Sequence, residues 1–353
     1  MLADGRLLRR RQTGVATYIR EMQRAMRAAA PEDLRVDWTA GPPGLPRRNR
    51  LTSVGNLALE LLWLHLALPL LAWWRGAALV HAPMNWAPRW CPCPVVVTVQ
   101  DLSFERLPGA YPAGFRLYAR LFARSSARRA RLVIVSSEAT ARDVTELYGV
   151  PRERIRVVPL GVHPDAAPRD PAEPREPFVL SVGVLDARKR IASLVRGHAL
   201  YLSGAPADPP PCRLVVVGGG GGDEEAVRRA AGEGCEIAGF VPAERLEDLY
   251  RRATLLVYPS AHEGFGLPVA EAMAHGCPAL VARNSALVEV GGDDALYLDD
   301  ASPEGIARAL AGALADREAL RARGEAGRAH AGRFSWTRAA AETMDVYRDA
   351  IGA

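Results

Sequence analysis

Short apolar runs alternate along this chain with longer stretches of mixed polarity, and the alternation occurs in two successive series. Val95-Val96-Val97-Thr98-Val99 and Leu132 to Val135 are continuous apolar runs of strand length, as expected of parallel strands covered on both faces. Met1-Leu2-Ala3-Asp4 reads as the tail of a first strand, and Leu34 to Trp38 as a second. Helices are predicted over Gly14 to Ala30, over Ala113 to Ala130 and from Ser136-Ser137-Glu138, where a serine can cap the first turn. Ile155 to Val162 closes the first series. A Pro/Asp/Glu-rich stretch, 165–177, has the composition of a hinge linker. The second series opens with Phe178 to Gly183 and continues through Leu214 to Val217, Cys235 to Ala238 and Ala279 to Val281. Helices follow from Pro303, and a terminal helix runs from Trp336 to about Ile351. Strand and helix alternating in this way predict an α/β protein with parallel sheets. The expected division is 1–164, the linker, 178–335 and a terminal helix at 336–353.

The most apolar stretch, Leu57 to Trp74, is interrupted by Glu60, His65 and Pro69, whereas a spanning helix needs about 20 nearly uncharged apolar residues. Trp63, Trp73 and Trp74, with Arg47, Arg48, Arg50 and Arg75 nearby, suit a helix lying against a membrane interface. A buried helix packed on the first sheet fits the same residues. Arg116, Arg120, Arg124 and Arg128 form an i, i+4 stripe that repels itself unless an anion compensates, the alternative being a solvated face in an arginine-rich chain. Residues 1–164 hold 24 basic against 12 acidic residues, a net of +12 in a chain whose total is +5. The first domain is therefore expected to meet anionic partners, an anionic membrane surface or a lipid-phosphate acceptor rather than nucleic acid.

At 353 residues the chain can form two full cores. The 5 cysteines include one close pair, Cys91 and Cys93, with no second half for a zinc site, and the charged stretch after Met1 leads to the expectation of no signal peptide. Reduced thiols and a cytoplasmic location, peripheral on the inner face of the membrane, are the expectation. Of the 45 Lys+Arg, only Lys189 is a lysine. A compact ammonium is not replaceable by a planar fork where one point charge must meet a phosphate.

Glu263 to Pro278 carries the densest chemistry. Pro268 suits a first helical turn, Gly276 can close the helix in a left-handed conformation, and Pro278 forbids its continuation. Gly264 and Gly266 let the backbone turn tightly and offer N–H groups to a ligand at the positive end of the helix. Glu263 and Glu271, about 10 Å apart on a helix, are too far apart for the paired carboxyls of a retaining glycosidase, which stand about 5 Å apart. The two acids therefore have separate jobs, or are ordinary surface glutamates.

With Tyr258-Pro259-Ser260 upstream and Ala279-Leu280-Val281 downstream, this stretch resembles the E-x7-E signature of the retaining glycosyltransferase 4 family. The resemblance implies the GT-B fold, two Rossmann-like domains with parallel sheets facing across a nucleotide-sugar cleft, and a terminal helix that packs back on the first domain. It implies that Glu263 holds the donor sugar, helped by Gly264, Phe265, Gly266 and Leu267, and that Glu271 holds the ribose. Arg188-Lys189 matches the pair that binds the donor diphosphate, with a solvated basic turn as the alternative. Gly183 ends the strand before it. Phe240 and Val241 match the nucleobase position, or form a plain strand-to-helix turn. Gly14, after Thr13, matches the loop facing the diphosphate, or a simple turn. Gln100-Asp101 stands where the family has His-Asp; glutamine can hold a sugar hydroxyl but cannot titrate near neutral pH. The five-glycine run Gly218 to Gly222 is expected to border the nucleotide cleft rather than form a dinucleotide fingerprint.

The implied activity is transfer of a hexose, mannose in preference, from a nucleotide diphosphate sugar to a glycan or lipid-linked acceptor, with retention and without a metal or other cofactor. GDP-mannose is favoured over UDP-sugars. A nucleotide-sugar epimerase or hydrolase, or a sugar-nucleotide-binding subunit with reduced catalysis, shares the same motifs.

Overall fold

The computed structural model describes residues 1–9, 14–44, 50–164, 175–205 and 211–352. Thr13, Arg47, Arg48 and most of the stretch read as linker lie outside them. The chain divides into two compact units, Met1–Gly161 with Ser335–Ala353, and Val162–Phe334.

The first unit is built on six parallel strands: β1 (Leu2–Asp4), β2 (Asp37–Thr39), β3 (Val80–Ala82), β4 (Val95–Val99), β5 (Leu132–Val135) and β6 (Ile155–Val157), in the order β2-β1-β3-β4-β5-β6. β2 lies later than the apolar pattern predicts. It pairs residue for residue with the three of β1, from Leu2↔Asp37 to Asp4↔Thr39, so the partner's length and not its own polarity sets its extent. The expected helices form as Gly14–Ala29, Ala113–Arg129 and Glu138–Tyr148, the last capped by Ser137 Oγ, which accepts from Thr140 N at 3.1 Å. The terminal helix Trp336–Gly352 belongs to this unit. Tyr347 Oη lies 2.6 Å from His81 Nδ1, His81 Nε2 2.8 Å from Thr98 Oγ1, and Tyr18 Oη 3.3 Å from the same hydroxyl. Burial pushes the His81 imidazole down to about 3, so this chain of hydrogen bonds stays uncharged at neutral pH. Gly161 seats the helix: a Cβ there would lie 2.1 Å from Trp336 N.

The apolar stretch of the first unit packs one face on the sheet, as the buried-helix reading expects. It is helical over Arg50–Leu62, widens to a π turn at Trp63–Ala67 and continues as Leu68–Trp74. Leu64, Leu68 and Ala72 are buried with Leu2 and Val80, and Trp63 Nε1 donates to Asp4 Oδ1 at 3.1 Å. The opposite face is open to solvent. The arginine stripe is partly relieved within the protein: Arg120 Nε lies 3.6 Å from Glu105, and Arg128 Nε donates to Tyr148 O at 2.6 Å.

The second unit holds six more parallel strands: β7 (Glu176–Val182), β8 (Arg213–Val217), β9 (Cys235–Gly239), β10 (Ala253–Tyr258), β11 (Ala279–Ala282) and β12 (Leu296–Leu298). Their order is β12-β11-β10-β7-β8-β9, so the chain runs outward from β7 in one direction and from β10 in the other. This is the strand order of a Rossmann half, and the crevice at the ends of β7 and β10 is where such sheets take ligands. Val179, Leu214, Leu255 and Leu280, one from each of four neighbouring strands, lie in one buried cluster with Leu194 and Leu310. β7 starts at Glu176, two residues before the apolar run, and Arg175 explains why. Its guanidinium donates to the carbonyls of Tyr250, Arg251 and Ala253 at 2.7–3.1 Å and to those of His275 and Gly276 at 3.2 and 2.6 Å. One side chain thus satisfies the carbonyl ends of two helices.

Candidate functional site

Gly183 follows the end of β7, and the chain then turns through a short 3-10 segment, Ala187–Lys189, whose cap is Asp186; Asp186 Oδ1 accepts from Lys189 N at 3.2 Å. Beyond the end of β10 come Ser260, Ala261 and Glu263. Ala261 N donates to Arg188 O at 2.8 Å, which ties the two loops together at the reversal point of the sheet. Gly183 takes φ 158°, a conformation that residues with side chains rarely adopt, and runs alongside the Lys189 stem at ordinary contact distance.

The side chains of these loops converge on one oxygen. Glu263 Oε1 accepts from Lys189 Nζ at 2.5 Å, from Ser260 Oγ at 2.5 Å and from Tyr258 Oη at 3.2 Å, and Arg188 Nη1 stands 3.2 Å away. Lys189 Nζ also donates to Tyr258 Oη at 2.5 Å, and Arg188 Nη1 to His262 O at 3.1 Å. Glu263 is buried, and burial by itself raises a carboxyl's pKa. The charges of Lys189 and Arg188, with the hydrogen bonds from Lys189 and Ser260, outweigh it and hold Glu263 down at about 2. Burial, with the Arg188 charge beside it, pulls Lys189 below its ordinary value against the opposing pull of Glu263. The carboxylate is ionised at any physiological pH. Tyr258, buried against it, is held well above the usual phenol range.

Glu263 is also fixed from behind. Its N–H donates to Ser285 Oγ at 3.0 Å, Ser285 Oγ donates to Asn284 Oδ1 at 3.0 Å, and Asn284 Nδ2 donates to Ser260 O at 2.9 Å. Ser285 takes φ 40°, a left-handed conformation that a non-glycine residue holds only when its surroundings require it. Gly266, at φ 100°, then leads into the helix Leu267–Ala274, and a Cβ on it would meet Leu287 Cδ2 at 2.6 Å. Gly264 and Gly266 are buried and Leu267 is half-buried. Phe265 turns inward, with its ring edge-on to Phe334 at 5.3 Å between centroids.

Glu271, on that helix, is half-buried and accepts from Tyr250 Oη at Oε2, 3.0 Å away. Phe240 is 57% exposed, next to Gly239 at φ 67°, and Val241 follows it half-buried. A Cβ on Gly219 would lie 3.4 Å from the Phe240 ring, so the glycine run after β8 borders this aromatic face. Gly218 is a true close approach, since a Cβ there would lie 2.0 Å from Gly183 O.

The remaining sequence candidates belong to the other unit. Gln100 and Asp101 follow β4. Gln100 Nε2 donates to Pro83 O at 3.0 Å, and Asp101 Oδ1 accepts from Ser103 N and Oγ at 3.0 and 2.7 Å, so both side chains are engaged locally. Gly14 begins the helix Gly14–Ala29 with open space where a Cβ would be. Sequence reasoning assigns no role to Tyr258, Ser260, Ser285 or Tyr250. Tyr258 and Ser260 were readable as flanks of the motif, whereas Ser285 and Tyr250 carry no local signal.

Comparison with known proteins bears on the whole chain. A family model described as "Glycosyltransferase Family 4" matches residues 12–166, and one described as "Glycosyl transferases group 1" matches residues 165–330. The chain is 30% identical over 268 residues to the O-antigen chain mannosyltransferase B of Escherichia coli, covering 72% of this chain and 70% of that protein. It is 35% identical over 240 residues to the D-inositol 3-phosphate glycosyltransferase of Acidothermus cellulolyticus, covering 62% of this chain but only 53% of that protein. Among solved structures, sucrose-phosphate synthase from Thermosynechococcus elongatus superposes with a TM-score of 0.74 at 21% identity, covering 99% of this chain and 98% of the other. Anabaena HepE, in complex with UDP and glucose, superposes with a TM-score of 0.70 at 16% identity, covering 98% of each chain.

Proposed function

This chain belongs to the group 1 glycosyltransferases, with the GT-B fold, and from that premise we propose that it transfers a hexose from a nucleotide diphosphate sugar to a glycan or lipid-linked acceptor, with retention and without a metal. The observation that carries this reading is the convergence of Lys189, Arg188, Tyr258 and Ser260 on Glu263 Oε1 at the reversal point of the second sheet.

Two cations stand there on loops tied to each other, both beside Glu263 Oε1, and to them is assigned the diphosphate, on which negative charge develops in the transition state. Such stabilisation by fixed charge does the work that a divalent ion does elsewhere. Glu263 is held by one oxygen, and the sugar hydroxyls are assigned to the other, Oε2. An ionised carboxylate is acceptor-only, so it orients hydroxyls and does not donate a proton. Glu271 is assigned the ribose diol, and the exposed face of Phe240 the base. No covalent nucleophile is assigned, and same-face attack assisted by the leaving phosphate is the route favoured. Mannose, from GDP-mannose, is preferred, in keeping with the mannosyltransferase among the relatives.

The test is incubation of the full chain in EDTA with GDP-mannose, UDP-glucose and UDP-N-acetylglucosamine, without acceptor to follow slow nucleotide release by hydrolysis and with a synthetic glycan acceptor to read the anomeric configuration of the transferred sugar by NMR. Release from GDP-mannose that survives EDTA, and an α-linked product from the α-linked donor, is the expected result. A requirement restored only by Mg²⁺ or Mn²⁺ overturns the assignment of Arg188 and Lys189, and an inverted product overturns retention. Free sugar or an epimer as the sole product, even with acceptor present, means a hydrolase or epimerase.

A further inference from the structure

The helical segment from Arg50 to Trp74 leaves a row of large apolar side chains uncovered: Leu62, Leu66, Leu70, Trp73 and Trp74, with Trp73 70% and Trp74 76% exposed. Steps of four drift about 40° per step around a regular α-helix. The π turn at Trp63–Ala67, with more residues per turn, offsets that drift and keeps the row on one side. Gly55–Trp74 is long and apolar enough to cross a bilayer, yet Leu64, Leu68 and Ala72 on its inner side are packed with Leu2 and Val80 of the sheet. Crossing would strip those contacts; lying flat keeps them.

A basic surface adjoins this row. His65, next to Leu66, accepts from Arg89 N at 3.2 Å and stacks near Phe122, 5.8 Å between ring centroids, on the helix Ala113–Arg129. Arg89, Arg120, Arg124, Arg128 and Arg129 line one groove of 670 Å³ around Leu121 and Phe122. The helix that supplies four of them has no acidic residue, and Leu117 and Leu121 are exposed along it. Glu105, against Arg120, is the acidic group that tempers the stripe. Two adjoining helices therefore present apolar and tryptophan side chains beside a run of arginines that Glu105 and the Tyr148 carbonyl offset only in part.

The geometry points to this face as a docking surface for an anionic lipid bilayer, with Leu62 to Trp74 lying in the interface and the groove arginines against the headgroups. A protein partner would be met by the apolar row alone; the arginines beside it favour a surface that is apolar within and anionic at its rim. The inference is independent of the transfer reaction and fails separately from it.

The test is sedimentation of the full chain with vesicles of phosphatidylcholine alone and with 30 mol% phosphatidylglycerol added. Arg120→Glu/Arg124→Glu and Trp73→Ser/Trp74→Ser are carried in parallel, with circular dichroism to show that each is folded. Wild type is expected to bind the anionic vesicles, to shift its tryptophan emission to the blue and to be released by 1 M salt, where the Debye length has fallen to about 3 Å. Each double variant should bind at least about tenfold more weakly. Wild type that ignores vesicles, or binds both kinds alike, overturns the proposal. So does an arginine variant that binds as well as wild type. A wild type that self-associates in sedimentation velocity without lipid, and stops when Trp73 and Trp74 are replaced, assigns the row to a second copy of the chain instead.

Discussion

Replacing Glu263 by glutamine changes one charge in a buried cluster and leaves the shape in place, so its effect on stability can be worked from the site. The carboxyl's pKa falls from an ordinary 4.5 to about 2 in the folded protein, because the charges of Lys189 and Arg188 outweigh the burial that would raise it. A depressed folded-state value gives stability that is fully present above pH 4.5 and is lost as the pH falls toward 2. Linkage puts the whole contribution at about 3 kcal/mol, of which about 1 kcal/mol is lost by pH 4 and about 2 kcal/mol by pH 3. Glutamine has no such slope, while every other carboxyl titrates alike in both proteins. Wild type and Glu263→Gln should therefore differ most near pH 7 and converge on acidification. Urea titrations at pH 7, 5 and 4, read by hydrogen exchange in peptides covering β10 and β11, measure this in the unit that holds the site. Tryptophan fluorescence would miss it, since all 7 tryptophans lie in the other unit. A wild-type advantage that stays constant between pH 7 and pH 4 would refute the account of Glu263 as a strongly depressed carboxylate.

Glu271→Ala should weaken nucleotide binding about tenfold to a hundredfold with a smaller effect on kcat, as expected for loss of a charged hydrogen bond to a ribose, and Glu263→Ala should do the reverse. Calorimetric titration with the nucleotide diphosphate beside steady-state kinetics separates the two; equal losses of both in either variant would sink the division of labour. Gly161→Ala places a methyl 2.1 Å from the Trp336 backbone N, where no flexible side chain can yield. It should cost on the order of 1–3 kcal/mol and speed hydrogen exchange across Trp336–Gly352, so unchanged protection there would show that the glycine does not seat the helix.

The apolar runs at β4, β5, β7 and β8 announced themselves because parallel strands covered on both faces have no polar positions to blur the pattern. β2 did so only with displaced bounds, because its register is set by a three-residue partner and not by its own sequence. The π turn at Trp63–Ala67 is silent, since its residues suit an ordinary helix equally well. At the site, Lys189 stood out as the one lysine and Glu263 as the head of a recognisable motif. Their meeting, 74 residues apart, is a product of strand order, as is the arrival of Ser285 behind Glu263 from 22 residues further on. Arg175 was least legible. It sits in a polar stretch that reads as linker, and its five carbonyl partners come from two helix ends that exist only once the second unit has folded.

A protein with a single ε-amine can be labelled at one side chain by chemistry that elsewhere is indiscriminate. Reductive methylation with ¹³C-formaldehyde and a borane reductant would place a dimethylammonium reporter on Lys189, with its charge kept, and a second on the exposed α-amine of Met1. α-Amines as a class titrate below ε-amines, which sets that NMR signal apart from the one at the centre of the site. Being buried against Glu263 and Tyr258, the Lys189 amine should react slowly, and its rate becomes a clock for how often the cluster opens. Protection by a bound nucleotide, read as a further slowing, would follow ligand occupancy without any assay of turnover.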